Sequence, residues 1–167
     1  MEIFVNQTEH IIYLDGREFW CKNGLYHRED GPAVILPDGE EWWYKSGKLH
    51  KENGPAVIHP DGIEVWYFND KLHRKYGPAV IYPHGTECWY KDGEFHREDG
   101  PAVISFNGEE FWYKNGQLHR EDGPAIMSCG ENRYYIEAVA VPEHVVMSPE
   151  SQTIEEILKE DNLEVKR

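Results

Sequence analysis

Apolar residues recur along this chain in two short bursts that return every 23 residues. The first burst is an aliphatic doublet: Val34-Ile35, Val57-Ile58, Val80-Ile81 and Val103-Ile104. The second is an aromatic cluster, Glu41-Trp42-Trp43-Tyr44-Lys45, with the equivalents Glu64-Val65-Trp66-Tyr67, Glu87-Cys88-Trp89-Tyr90 and Glu110-Phe111-Trp112-Tyr113. Each burst has strand length, and turn residues separate them. Pro37-Asp38-Gly39, Pro60-Asp61-Gly62 and Pro83-His84-Gly85 supply one turn, where glycine takes positive φ without a Cβ clash. Asn23-Gly24, Ser46-Gly47, Asp92-Gly93 and Asn115-Gly116 supply the other, and the third repeat has Asn69-Asp70 there. Asn-Gly between apolar runs is the strongest short hairpin signal. Turns this short leave no room for a parallel crossover, which needs about a dozen residues or more. The pattern predicts an all-β fold, an elongated antiparallel sheet of tandem 23-residue β-hairpin repeats. Like residues of adjacent hairpins then stand about 9.5 Å apart, twice the strand spacing.

Between the aromatic cluster and the next doublet lies a polar motif, His-Arg-Glu-Asp-Gly-Pro-Ala, at His27 to Ala33, His96 to Ala102 and His119 to Ala125. Weaker copies run from His50 to Ala56 and from His73 to Ala79. Proline in Gly-Pro-Ala-Val-Ile lacks an N–H and suits the start of a strand. The first repeat is degenerate, with Ile11 and Ile12 matching Val34 and Ile35, as terminal repeats often are. The register fades after Tyr135, so residues 1–136 form the repeat domain and 137–167 a closing strand and a short acidic helical tail. Tyr134 to Val141 reads as that strand, ended by Pro142. Ser148 as N-cap, Pro149 at the first helical position, and Ile154, Ile157 and Leu158 at helical spacing predict a short C-terminal helix from about 149 to 160. Asp161-Asn162 resembles a further helix start just before the sequence stops at Arg167, which leaves two readings: a longer helical region continuing beyond, or a fraying tail.

Composition narrows the partners. A formal net charge of -14 in 167 residues argues against neutralising nucleic-acid phosphates and against an anionic membrane. A basic protein surface is the natural partner of such charge, and plain solubility is the alternative. Six Trp, ten Tyr and six Phe require a packed structure. Cys21, Cys88 and Cys129 form no spaced pair and read as reduced thiols of a cytoplasmic protein, and no signal peptide or membrane span is visible.

In stacked hairpins side chains form rows. Trp20, Trp43, Trp66, Trp89 and Trp112, with Tyr135 in sixth place, make one row; Tyr44, Tyr67, Tyr90 and Tyr113 make another on the opposite face. Glu18, Glu41, Glu64, Glu87 and Glu110 share the tryptophan face by period two. Carboxylates beside aromatic rings suit an arginine-rich partner, so this Glu row with Trp43, Trp66 and Trp89 is the candidate partner-binding surface. Its alternative is a solvated row paired with Lys22, Lys45, Lys91 and Lys114. The histidines His27, His50, His73, His96 and His119 invite a metal reading, but rows about 9.5 Å apart suit a shared ion poorly, and a structural role in the repeat is preferred. Arg28-Glu29-Asp30 and its copies recur along an edge, whereas catalysis needs one asymmetric constellation. Cys21 and Cys88 read as small core residues. No cofactor, no metal and no enzymatic activity are expected.

Trp112-Tyr113-Lys114-Asn115-Gly116-Gln117-Leu118-His119, followed by Gly123, resembles the MORN repeat. The closer likeness is to bacterial and viral variant units, matched by residues 20–33, 89–102 and 112–125, and it covers about residues 11–136. The resemblance implies stacked hairpins acting as a scaffold or docking surface; some bacterial relatives, the YwqK group, are labelled antitoxin-like. Gly-Pro-Ala replaces the usual glycine pair and the basic surface is missing, which argues against lipid binding. Two functional readings stand. One is a non-enzymatic protein-protein interaction module, in its narrow form an inhibitor, antitoxin or phage counter-defence protein on a basic target. The other is a structural repeat domain of a larger protein whose activity lies in a missing C-terminal part.

Overall fold

The structure is a computed structural model describing residues 8–147 and Lys159. The described residues are nearly all β, with 22 strands in antiparallel pairings and a short helix, Glu143–Val146. The described residues fall into two compact units, divided between Pro83 and His84. In the first, the sheet order is Thr8–Ile12, Glu18–Lys22, Val34–Ile35, Glu41–Trp42, Val57–Ile58, Glu64–Val65, Val80–Ile81. In the second it is Glu87–Cys88, Val103–Ile104, Glu110–Phe111, Ile126–Ser128, Glu131–Ile136, Val139–Val141.

The expected second strand of the second to fifth repeats is broken at its tryptophan. Glu41–Trp42 belongs to the sheet, while Tyr44–Lys45 pairs with Lys48–Leu49 in a separate two-stranded ribbon. Trp43 is the pivot because its N–H donates to the Ala56 carbonyl at 2.7 Å on the sheet side, and its own carbonyl accepts from the His50 N–H at 3.0 Å on the ribbon side. Trp66, Trp89 and Trp112 make the same two bonds, to Ala79, Ala102 and Ala125 and from His73, His96 and His119. In the first repeat Glu18–Lys22 stays continuous. Two-residue segments such as Lys48–Leu49 carry no strand signal of their own, and the hairpin turn before them creates them.

Those turns have two successive residues at positive φ, Asn23 and Gly24 at 53° and 74°, Ser46 and Gly47 at 51° and 78°. This is the type I′ geometry whose twist matches the flanking strands. Asp70 takes the glycine place at φ 67°, and its carboxylate compensates by accepting the Leu49 N–H at 2.8 Å.

The core is narrow. Ala33, Ala56, Ala79, Ala102 and Ala125 are completely buried, so no larger side chain fits at the end of the motif. Beside them Val34, Val57, Val65 and Val80 form a buried row in the first unit. Near the end, Tyr134 to Val141 is a hairpin turning at Glu137-Ala138 instead of one closing strand. Ile136, Val141, Val145 and Val146 close a small core against the Glu143–Val146 helix. The helix expected from 149 to 160 lies outside the described residues apart from Lys159, which is helical. Among the described residues no helix is long and apolar enough to cross a membrane.

Candidate functional site

Every residue of the polar motif has an internal task. In the fourth repeat the His96 Nδ1 accepts the Asn115 N–H at 3.1 Å, tying one hairpin to the turn of the next. His27 and His119 do the same with Ser46 at 3.0 Å and Glu137 at 3.2 Å. The opposite nitrogen, Nε2, meets the glutamate two residues on, at 2.7 Å for His96–Glu98 and 3.1 Å for His119–Glu121. An imidazole that accepts at Nδ1 must carry its proton on Nε2, so the two bonds select one tautomer. His50 differs: its Nδ1 lies 3.0 Å from the Asn69 Oδ1. His73 keeps the backbone bond to Trp66 and packs on Phe68.

The arginine lies over its repeat's tryptophan. Arg28 on Trp20, Arg74 on Trp66, Arg97 on Trp89 and Arg120 on Trp112 sit 4.0, 3.9, 4.1 and 3.8 Å from the ring centroid, and Lys51 stands 3.5 Å over Trp43. The Nε–H of Arg28, Arg97 and Arg120 donates to Asp30, Asp99 and Asp122 at 3.0, 3.1 and 2.7 Å. Their Nη1 donates to the carbonyls of Pro32, Pro101 and Pro124. The glycine of the motif supplies room, since a Cβ on Gly31 or Gly100 would stand 2.7 Å from the guanidinium carbon. The constant offset of eight residues from tryptophan to cation was visible in the sequence and is the signal that identifies this pairing.

The candidate partner surface is therefore less open than the sequence implies. One face of Trp43, Trp66 and Trp89 is covered by the chain's own cation, and Trp66 is buried. Glu18, Glu41, Glu64, Glu87 and Glu110 are half-buried and interleaved with aliphatic residues. Glu41 pairs with Ile35 and Ile58, Glu64 with Ile58 and Ile81, Glu110 with Ile104 and Met127. Glu41 and Glu64 interact with Lys51, whose ammonium burial holds below the usual lysine range even as both carboxylates push it back up. Glu18 bonds His10 at 2.9 Å. The motif itself carries strongly exposed carboxylates. Side chains of Glu29 and Asp30 are 80% and 85% exposed, and those of Glu98, Asp99, Glu121 and Asp122 are 69%, 86%, 61% and 79% exposed.

Among the described residues no three His, Cys, Asp or Glu side chains converge where they could hold a metal ion. Cys88 is buried and burial raises its thiol pKa, which disfavours the thiolate. Burial, reinforced by Glu9, does the same to Cys21. No family model matches this chain, and no curated protein matches it.

Proposed function

We propose that this chain is a non-enzymatic, MORN-like repeat module that binds a basic surface of another protein, as an inhibitor or antitoxin-like protein does. The carrying observation is the motif edge: exposed carboxylates whose neighbours hold them in fixed register. His96 fixes Glu98, and Arg97, clamped on Trp89, fixes Asp99. A pre-positioned carboxylate loses little side-chain entropy on binding, which favours its use as a contact. The net charge of -14 adds long-range attraction for a cationic partner. The reading moves the contact from the half-buried Glu row to Glu29, Asp30, Glu98, Asp99, Glu121 and Asp122.

The test exploits isosteric amides. Glu→Gln at 29, 98 and 121 with Asp→Asn at 30, 99 and 122 keeps an acceptor oxygen for each histidine and arginine while removing six charges. Affinity capture by the wild-type chain should retain basic proteins that elute with rising salt, and the neutralised variant should lose them while still giving the wild-type circular dichroism spectrum. Equal retention by both chains, or retention of acidic proteins alone, would overturn the proposal.

A further inference from the structure

In a repeat protein the shared residues serve the fold, so an exposed departure from the shared pattern is informative. The third repeat reads His73-Arg74-Lys75-Tyr76, where three sister repeats place Glu-Asp after the arginine. Arg74 occupies the sister position: its guanidinium lies 3.9 Å over Trp66 and its Nη1 donates to the Pro78 carbonyl at 3.1 Å. Its Nε–H, however, has no carboxylate among the described residues, because Tyr76 stands where Asp30, Asp99 and Asp122 stand elsewhere. Tyr76 points outward, 78% exposed, with the Lys75 ammonium 5.0 Å from its ring. The loop has changed shape to match: Gly77 lies at φ 113°, whereas Gly31, Gly100 and Gly123 stay outside the left-handed region. A guanidinium is thus held rigid in the geometry that binds a carboxylate, with that carboxylate missing and a second cation and an exposed ring beside it.

We propose that Arg74 is a docking point for a single carboxylate, the aspartate or glutamate side chain of a partner polypeptide, with Lys75 and Tyr76 flanking it. Three sister repeats show what the seat accepts, since each fills it with an aspartate oxygen 2.7 to 3.1 Å from the arginine Nε. The planar fork of arginine favours carboxylate geometry, which explains why Arg74 and not Lys51 is the candidate. A phosphate dianion fits less well, because the chain's net charge of -14 repels it about twice as strongly as a monoanion. This site is separate from the acidic edge and opposite to it in sign, so loss of basic-protein capture leaves it untouched.

The test is an NMR titration of the arginine Nε–H signals in the full chain, with sodium chloride held to constant ionic strength. Probes are N-acetyl-aspartate N-methylamide, which presents a peptide-like aspartate, then sodium acetate and sodium phosphate. The Arg74 signal should shift saturably with the blocked aspartate, while those of Arg28, Arg97 and Arg120 stay in place. Tyr76→Asp should fill the seat and abolish the shift, and Asp99→Ala should open a second seat and make Arg97 respond. An Arg74 signal that does not respond to the blocked aspartate would overturn the proposal, whether or not Arg97 responds in the Asp99→Ala variant. So would an unchanged response in Tyr76→Asp, or a stronger response to phosphate or acetate than to the blocked aspartate.

Discussion

Gly100→Ala isolates the role assigned to the motif glycine. Gly100 lies outside the left-handed region, so alanine is sterically allowed on the backbone. On that ground alone the substitution should stabilise by about 0.4–1 kcal/mol through the unfolded chain. The new Cβ, however, would stand 2.7 Å from the Arg97 guanidinium carbon and 2.9 Å from its Nε. The guanidinium is the far end of a flexible side chain and will move away, so the cost is what Arg97 then loses. It loses its stacking on Trp89 at 4.1 Å, about 0.5–2 kcal/mol. It loses the bond to the Pro101 carbonyl, about 0.5–1.5 kcal/mol. The pair with the exposed Asp99 adds about 0–1 kcal/mol. The net expectation is destabilisation by about 2 kcal/mol. Urea unfolding followed by tryptophan fluorescence reads it, because Trp89 itself loses its cover. In an Arg97→Ala background the same glycine substitution should be neutral or stabilising. A Gly100→Ala chain at least as stable as wild type would refute the reasoning, since the arginine would then owe nothing to that space.

Further outcomes follow from the same geometry. The His96 hydrogen bond holds the Glu98 carboxyl below its ordinary value of 4.5, so its contribution to stability is complete above that pH and vanishes as pH falls through the lowered value. Glu98→Gln should therefore flatten the acid limb of a stability-pH curve by lowering stability in the neutral region while leaving the acid end nearly unchanged. Thiol labelling of the folded chain should proceed at exposed Cys129 first, then at half-buried Cys21, and last at buried Cys88, with mass spectrometry after brief alkylation giving the order. Ala102→Leu, at a completely buried position, should cost about 1–3 kcal/mol in urea unfolding through overpacking.

The all-β class, the hairpin turns and the 23-residue step were legible because turn chemistry and strand-length apolar bursts are local signals. The break at each tryptophan was not. It depends on one residue sending its N–H to Ala56 and its carbonyl to His50, partners 13 and 7 positions away that composition does not reveal. The covering of the candidate surface was hidden for a related reason. Glu41 and Trp43 stand two residues apart in the sequence, but the cation that covers the ring, Lys51, arrives from the motif after the ribbon. The motif reads as structural from its repetition, and what the sequence left open is which partners its groups take, such as Asn115 and Glu98 for His96 and Asp99 for Arg97. What distinguishes the third repeat, Tyr76 for aspartate and Asn69-Asp70 for a glycine turn, stood in the sequence throughout. Its meaning emerged only once the role of the ordinary residues was known.

The most direct measurement is the tautomer of the motif histidines, read from long-range nitrogen-proton correlation spectra of the folded chain at neutral pH. Hairpins interlocked as described require His27, His96 and His119 to carry the proton on Nε2 and leave Nδ1 bare to accept the Ser46, Asn115 and Glu137 amides. Signals from protonated Nδ1 at these three positions would contradict the interlock and return the histidines to the list of groups open to other chemistry.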